Sequence, residues 1–483
     1  MPQDSIIEND NLHYEHSIAH SSLRAVLFHD VVSIALPMSL SQLAQFSFII
    51  VMMVFAGRLG VQELGAVSVS FSIINATAYA IGCGLSGALE ALLSCSYGDD
   101  PRNKMYGTYA QRMFFILLIF SVPLTPFFMY LEPLLGFAGQ PPHVVTKVGK
   151  FGRISVLGVP FLMLLELIRR YYVSQRRSQP VFFALAAAAV FNPILQLFLV
   201  NWMGYIGIPI GWVVLMMGLD TALIWYLWWS GLHRRTWGGW SREAFQNWSS
   251  ILRFAVPSLG IAFSEWTVVE INTLCAGYSS PVGLAAFAVS NQVANLCWSI
   301  VSGLFIASTV LVGNCVGARN ANLGKKYAVV SSVLVLLVSS CNAVLIYTYR
   351  EQIPYIFTTD TVVVDEFASM SPYFLSYHVL DSMQTNFLAI LRGCGLQSTG
   401  VFIVFVTMAI VGTPLGIFLM FWKHYGVVAL WIGPLVGRMV FGTPAYLYVL
   451  LRRNEWDALR ANLDRAEEPK CVAAGPNGNT SIC

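Results

Sequence analysis

The sequence predicts an all-α integral membrane protein: twelve transmembrane helices in two six-helix lobes related by a pseudo-twofold axis. Three observations predict it: a composition foreign to soluble domains, twelve long, mostly apolar stretches, and an internal repeat with an offset near 220 residues.

Charged residues make up 11% of the 483, against about 25% in soluble domains. Residues of the set AVILMFWYC make up 56%, and the mean hydropathy is +0.64. A hydrocarbon core about 30 Å thick takes roughly 20 apolar residues per helical span. Stretches of that kind occupy residues 31–55, 66–97, 108–132, 151–173, 180–202, 205–231, 251–276, 284–316, 325–347, 369–391, 399–423 and 425–451. The first thirty residues carry Asp4, Glu8, Asp10 and Glu15 and have no basic segment leading into a short apolar one, so they are not a secretory signal. The N-terminus is therefore expected to stay cytosolic, and an even number of spans returns the C-terminus to the same side.

Loop charges agree with that orientation. Arg102, Lys104, Arg169, Arg170, Arg176, Arg177, Arg234, Arg235, Arg242, Arg319, Lys325, Lys326, Arg452 and Arg453 fall on one face, and Arg58, Lys147, Lys150, Arg350 and Lys423 on the other. By the positive-inside rule the crowded face is cytosolic. The net charge of +3 sums this asymmetry and carries no reading as a nucleic-acid binder. The expected partition is a cytosolic tail at 1–30, an N-lobe at 31–231, a cytosolic linker at 232–250, a C-lobe at 251–451 and a cytosolic tail at 452–483. The plasma membrane is the expected location, with a vacuolar or other acidic-organelle membrane as the alternative.

The repeat is carried by order as well as identity. Ala35-Leu36-Pro37-Met38-Ser39 answers to Ala255-Val256-Pro257-Ser258-Leu259, and Gly57 to Gly277. Leu64-Gly65-Ala66-Val67-Ser68-Val69-Ser70 answers to Leu284-Ala285-Ala286-Phe287-Ala288-Val289-Ser290, Arg170 and Gln175 to Arg392 and Gln397, and Pro193 to Pro414. Six helices separate each pair, so both halves share one orientation. Parallel repeats of this kind place a substrate path between the halves and work by alternating access.

An acid within a span is costly unless it faces protein or water, so it marks function by default. Glu265 and Glu270 lie in the seventh span and Asp381 in the tenth. Five residues on a helix amount to about 140° of net rotation, so Glu265 and Glu270 occupy different faces. Neutral polar groups flank them: Asn291, Gln292 and Asn295 in the eighth span, Gln384 and Asn386 in the tenth. The repeat position of Glu265 holds Gln45, which does not titrate. In the first half Glu90 and Glu166 remain; Glu166 stands one turn before Arg170 and is placed to pair with it, and Glu90 reads as structural or coupling. Trp266, Trp298, Tyr278, Tyr373 and Tyr377 lie on the same helices. Aromatic faces attract organic cations, although aromatics in spans mostly serve packing or the interfacial belt. A carboxyl group losing its water favours its protonated form and a nearby cation favours the ionised one; competition of proton and organic cation for one carboxylate is antiport.

These residues resemble the multidrug and toxic compound extrusion (MATE) transporters, particularly the eukaryotic type. The segments that carry the resemblance are Pro37 to Gly60, ending Phe55-Ala56-Gly57-Arg58-Leu59-Gly60; Gly87-Ala88-Leu89-Glu90-Ala91-Leu92 with Tyr97-Gly98; Tyr171 to Pro180; Glu265-Trp266 with Glu270; Val312-Gly313-Asn314-Cys315-Val316-Gly317-Ala318; and Leu391-Arg392-Gly393-Cys394-Gly395. The resemblance implies two lobes in a V and export of organic cations or drugs in exchange for protons, or for sodium in some members. It assigns the seventh-helix glutamates to Glu265 and Glu270, the tenth-helix acid to Asp381 and the second-helix glutamate to Glu90. Two positions depart from the pattern: Gln292 where many relatives have a glutamate, and Met52 where some prokaryotic members have an aspartate. Coupling is therefore expected through the C-lobe.

Alternatives of other kinds fit less well. A lipid-linked sugar flippase of the wider superfamily would favour a basic interior. A major facilitator would carry a Gly-x-x-x-Asp-Arg pattern after the second span, where this chain reads Tyr97-Gly98-Asp99-Asp100-Pro101-Arg102. An intramembrane enzyme would need a nucleotide loop, a His-Glu-x-x-His or a Gly-x-Ser-x-Gly, and the sequence has none. Nine cysteines without metal or disulfide spacing and the pair His16 and His20 in a polar tail give no reason to expect a metal or cofactor. The expected partners are small organic cations or drugs, protons or sodium, and the bilayer, with no nucleic acid, and the chain is expected to act as a monomer.

Overall fold

Apolar residues along a chain that must pair every backbone group internally leave the helix as the economical choice within a bilayer. The computed structural model describes residues 23–137 and 142–451; the tail at 452–483, nearly all of the tail at 1–30, and His16 and His20 lie outside the described residues. Among the described residues there are twelve long helical rods and no strand. They are α1 (Leu23–Leu59), α2 (Val61–Asp99), α3 (Met105–Met129), α4 (Pro142–Ser155 continuing as Val159–Val173), α5 (Gln179–Met203), α6 (Gly207–Trp229), α7 (Trp248–Gly277), α8 (Pro281–Gly317), α9 (Ala321–Thr348), α10 (Thr361–Gly393), α11 (Gln397–Phe421) and α12 (Gly426–Leu451).

Among the described residues nine continuous stretches are long and apolar enough to cross a membrane; one of these, Gln179–Trp229, contains both α5 and α6, and α4 adds a tenth as a pair bent by 55°. The rod outside that tally, α10, is the one richest in polar groups of interest here. Several helix starts are fixed locally. The Ser280 side chain accepts from the Gly283 amide ahead of Pro281, Asn320 from Leu323, and Asp360 from Val362, which satisfies donors the first helical turn leaves open.

The helix pairings repeat between the halves. α1 packs on α5 as α7 packs on α11; α2 packs on α4 as α8 packs on α10; α5 packs on α6 as α11 packs on α12. Between the lobes the contacts are reciprocal, α1 with α8 and α7 with α2, which is what a twofold relation requires of a shared interface. The linker after α6 is docked on α3: Gln111 donates to the Gly239 carbonyl at 2.8 Å and accepts from the Ser241 amide at 3.1 Å, and Arg112 donates to the Glu243 carbonyl.

The closest approaches between lobes run from the end of the bundle where α1 begins to the middle of α1 and α8. There the Ser39 hydroxyl donates to the Ile300 carbonyl at 2.6 Å and Tyr327 donates to Asp30 Oδ2 at 2.5 Å. A Cβ on Gly98 would stand 2.0 Å from the Asn314 carbonyl oxygen, and one on Gly303 2.0 Å from that of Ala35. Side-chain-free positions let these backbones touch.

Candidate coupling and substrate site

Each lobe buries a cluster of charges. In the C-lobe, Tyr377, Asp381 and Gln384 recur at helical spacing and share one face of α10. Opposite them α12 leaves regular α-helix for a π-turn at Arg438–Gly442. The Arg438 carbonyl accepts from Gln384 Nε2 at 2.6 Å and from Thr443 Oγ1 at 3.0 Å. Gln384 fits because Gly442 has no side chain: a Cβ there would lie 2.4 Å from its Oε1. Single-turn π segments are frequent at functional sites.

The Arg438 side chain is buried and ion-paired with Asp381. It also donates through Nη2 to the Tyr377 hydroxyl at 3.2 Å and through Nη1 to Gln384 Oε1 at 3.3 Å, and its guanidinium lies 5.1 Å from the Tyr377 ring centroid. Asp381 is thus compensated and fixed. Glu265 on α7 is half-buried and stands in the electrostatic field of Arg392, Asp381 and Arg438. Among the described residues no hydrogen bond or ion pair holds its carboxylate.

In the N-lobe, Glu166 is fully buried and accepts from Arg169 Nη2 at 2.7 Å, Arg170 Nη1 at 2.5 Å and the Cys83 thiol at 3.2 Å. Glu90 Oε2 lies 3.8 Å from Arg170 Nε. Arg169 turns its other nitrogen to Gln42 at 3.1 Å and to Gln45 at a long 3.5 Å. The pairing of Glu166 with Arg170 that the sequence suggested is present. Counting Arg169 and Arg170 among loop charges is corrected by the same geometry: both are buried within α4. Replacing Glu166 by Ala leaves two buried guanidiniums short of a counter-charge. Glu90, the Cys83 carbonyl and Gln42 still serve them, so we expect a loss of roughly 2–3 kcal/mol, read as lowered thermal stability of the purified protein in detergent.

The remaining sequence candidates are spread out. Trp266 and Asn291 are half-buried; Gln292 is exposed on α8, and Glu270 is exposed on a face of α7 away from Glu265. Tyr278 follows the last residue of α7 and is 80% exposed. The structure therefore brings together Glu265, Asp381 and Tyr377, and does not bring Glu270 or Tyr278 to them. Sequence reasoning passed over Arg438, and also Asp220 on α6, a buried acid whose two carboxylate oxygens have no hydrogen-bond partner among the described residues. Both sit inside stretches recognised as spans: the criterion that singled out Asp381 covers Asp220 directly, and covers Arg438 once it is widened from acids to any ionisable group.

Two parallel six-helix lobes meeting through reciprocal helices, each with charges sealed inside, define the class of two-lobed membrane transporters. The MatE family profile matches residues 37–198 and 257–418, one match per lobe with starts 220 residues apart, and the chain belongs to this family. It is 32% identical over 464 residues to "Multidrug and toxin extrusion protein 2" of Mus musculus, covering 92% of this chain and 80% of that one. To "Multidrug and toxin extrusion protein 1" of Homo sapiens it is 30% identical over 440 residues, covering 91% and 76%. Among solved structures, the eukaryotic MATE transporter AtDTX14 superposes with a TM-score of 0.85 at 22% identity, covering 92% of this chain and 99% of that one. A MOP superfamily transporter from Pyrococcus furiosus superposes with a TM-score of 0.80 at 18% identity, covering 90% and 97%. These last two likenesses concern the fold.

Proposed function

We propose that this chain is a secondary active antiporter that exports organic cations and drugs in exchange for protons, by rocking its two lobes about their shared interface. The observation that carries the reading is Glu265: it is a carboxylate within a span, half-open, beside a cluster whose other acid is already neutralised by Arg438. A group in that position holds a proton or a cation but not both, and one ion's arrival releases the other. The drive is then about 1.4 kcal/mol per unit of pH difference. The names of the relatives, multidrug and toxin extrusion proteins, support a xenobiotic cargo. The chain works as a monomer, its termini are cytosolic and its membrane is the plasma membrane.

The test is cation flux in proteoliposomes containing the native chain, with a fluorescent organic cation, an imposed pH gradient and no sodium. Uptake that follows the pH gradient and collapses with it is the expected result. Uptake driven by a sodium gradient and indifferent to pH would replace the proton by sodium in this mechanism.

A further inference from the structure

We propose that Arg438 sets the charge class of the cargo, restricting the C-lobe to monovalent organic cations by keeping Asp381 permanently neutralised. The inference rests on the reading of Glu265 as the cargo carboxylate and concerns a residue that never touches the cargo itself. Two acids lie in this cluster, and two buried acids without compensation would favour a dication. Arg438 removes one of them from play.

The geometry makes this compensation rigid. The guanidinium is tied to Asp381, to Tyr377 and to Gln384, and its own backbone carbonyl is held by Gln384 and Thr443. Its side chain is 6% exposed and that of Asp381 15%, so water screens the pair little. A planar guanidinium with this many fixed partners has no easy alternative rotamer, unlike an ammonium on a flexible stem. The other cation in the field of Glu265 is Arg392, in the last turn of α10. It forms no ion pair with Glu265, and Glu90 of the N-lobe lies in its field as well. The eighth helix, which could have supplied another acid, presents Gln292 and Asn291. One free carboxylate is left, and it matches one positive charge.

The experiment measures uptake of a methylphenylpyridinium monocation and a dimethylbipyridinium dication by the full chain in proteoliposomes. The variants are R438K, R438Q, D381N and the double variant R438Q/D381N. Removing a positive charge some 10 Å from a bound cation at an effective dielectric constant near 20 favours one extra cargo charge by about tenfold. The dication-to-monocation uptake ratio is therefore expected to rise about tenfold in R438Q, to stay near native in R438K, and to return to native in R438Q/D381N. D381N alone leaves an unpaired cation near Glu265 and should raise KM for the monocation about tenfold, with R438Q/D381N again reversing the change.

A native ratio in an R438Q protein that still moves the monocation overturns the proposal. So does a raised ratio that persists when Asp381 is also removed. If R438Q does not fold, the cycle between D381N and the double variant decides, and a double variant no better than D381N overturns it. A native protein that moves neither cation under a pH or a sodium gradient defeats the transport reading itself, and this inference with it.

Discussion

Glu265→Gln is expected to abolish pH-driven cation uptake, lowering the initial rate by roughly 100-fold or more, while the protein folds normally. Glutamine keeps the volume and loses the titration. A charge pair near 4 Å at an effective dielectric constant of 20 is worth about 4 kcal/mol, and a cargo cation that no longer meets a carboxylate forfeits an interaction of that order. Folding is spared because no hydrogen bond or ion pair engages the Glu265 side chain among the described residues. The contrast with Glu270→Gln sharpens the result. Glu270 is exposed on another face of α7, so its substitution is expected to alter the rate less than about threefold, in the range of surface substitutions. Both are read as initial rates in sodium-free proteoliposomes at several imposed gradients. An unaffected Glu265→Gln would remove this residue from coupling and leave Asp381 as the coupling acid.

How much of this site a single sequence reveals depends on the range of the interactions. The repeat was legible because Pro37 and Pro257, or Arg170 and Arg392, keep their spacing in the chain itself. The separation of Glu265 from Glu270 followed from helical rotation, and Glu166 with Arg170 is an i, i+4 pair that sequence spacing places on one face. Arg438 is a different case. Its partners lie on α10, more than fifty residues away, and they meet it at a π-turn where Gly442 yields room to Gln384. No local periodicity encodes that fit. Arg169 and Arg170 misled for another reason: arginines close to a span end read as loop charges, and spacing alone does not show that they are buried with the acid one turn before them.

The same limit hid the seam on which alternating access would turn. Gly303 lies in the middle of an apolar run on α8 and reads as an unremarkable small residue. In the structure its amide donates to Ser39 Oγ at 3.2 Å, and a Cβ would stand 2.0 Å from the Ala35 carbonyl and 2.6 Å from the Ser39 amide nitrogen. Both are backbone atoms of α1, which cannot swing aside as a side chain does. Gly303→Val should therefore force α1 and α8 apart where they cross. Overpacking typically costs 1–3 kcal/mol, and backbone on two sides puts this case at the upper end. A state disfavoured by about 3 kcal/mol is populated roughly 100-fold less, and a transport cycle that must pass through it slows in proportion. The largest apolar core runs across both lobes and further buried clusters lie within the C-lobe, so one local misfit at the seam is expected to leave the variant folded. Spin labels at the exposed positions Phe28 and Arg319, one in each lobe, should report a longer interlobe distance alongside the lost flux. Normal flux with an unchanged distance would mean that this contact is not the seam on which the lobes close.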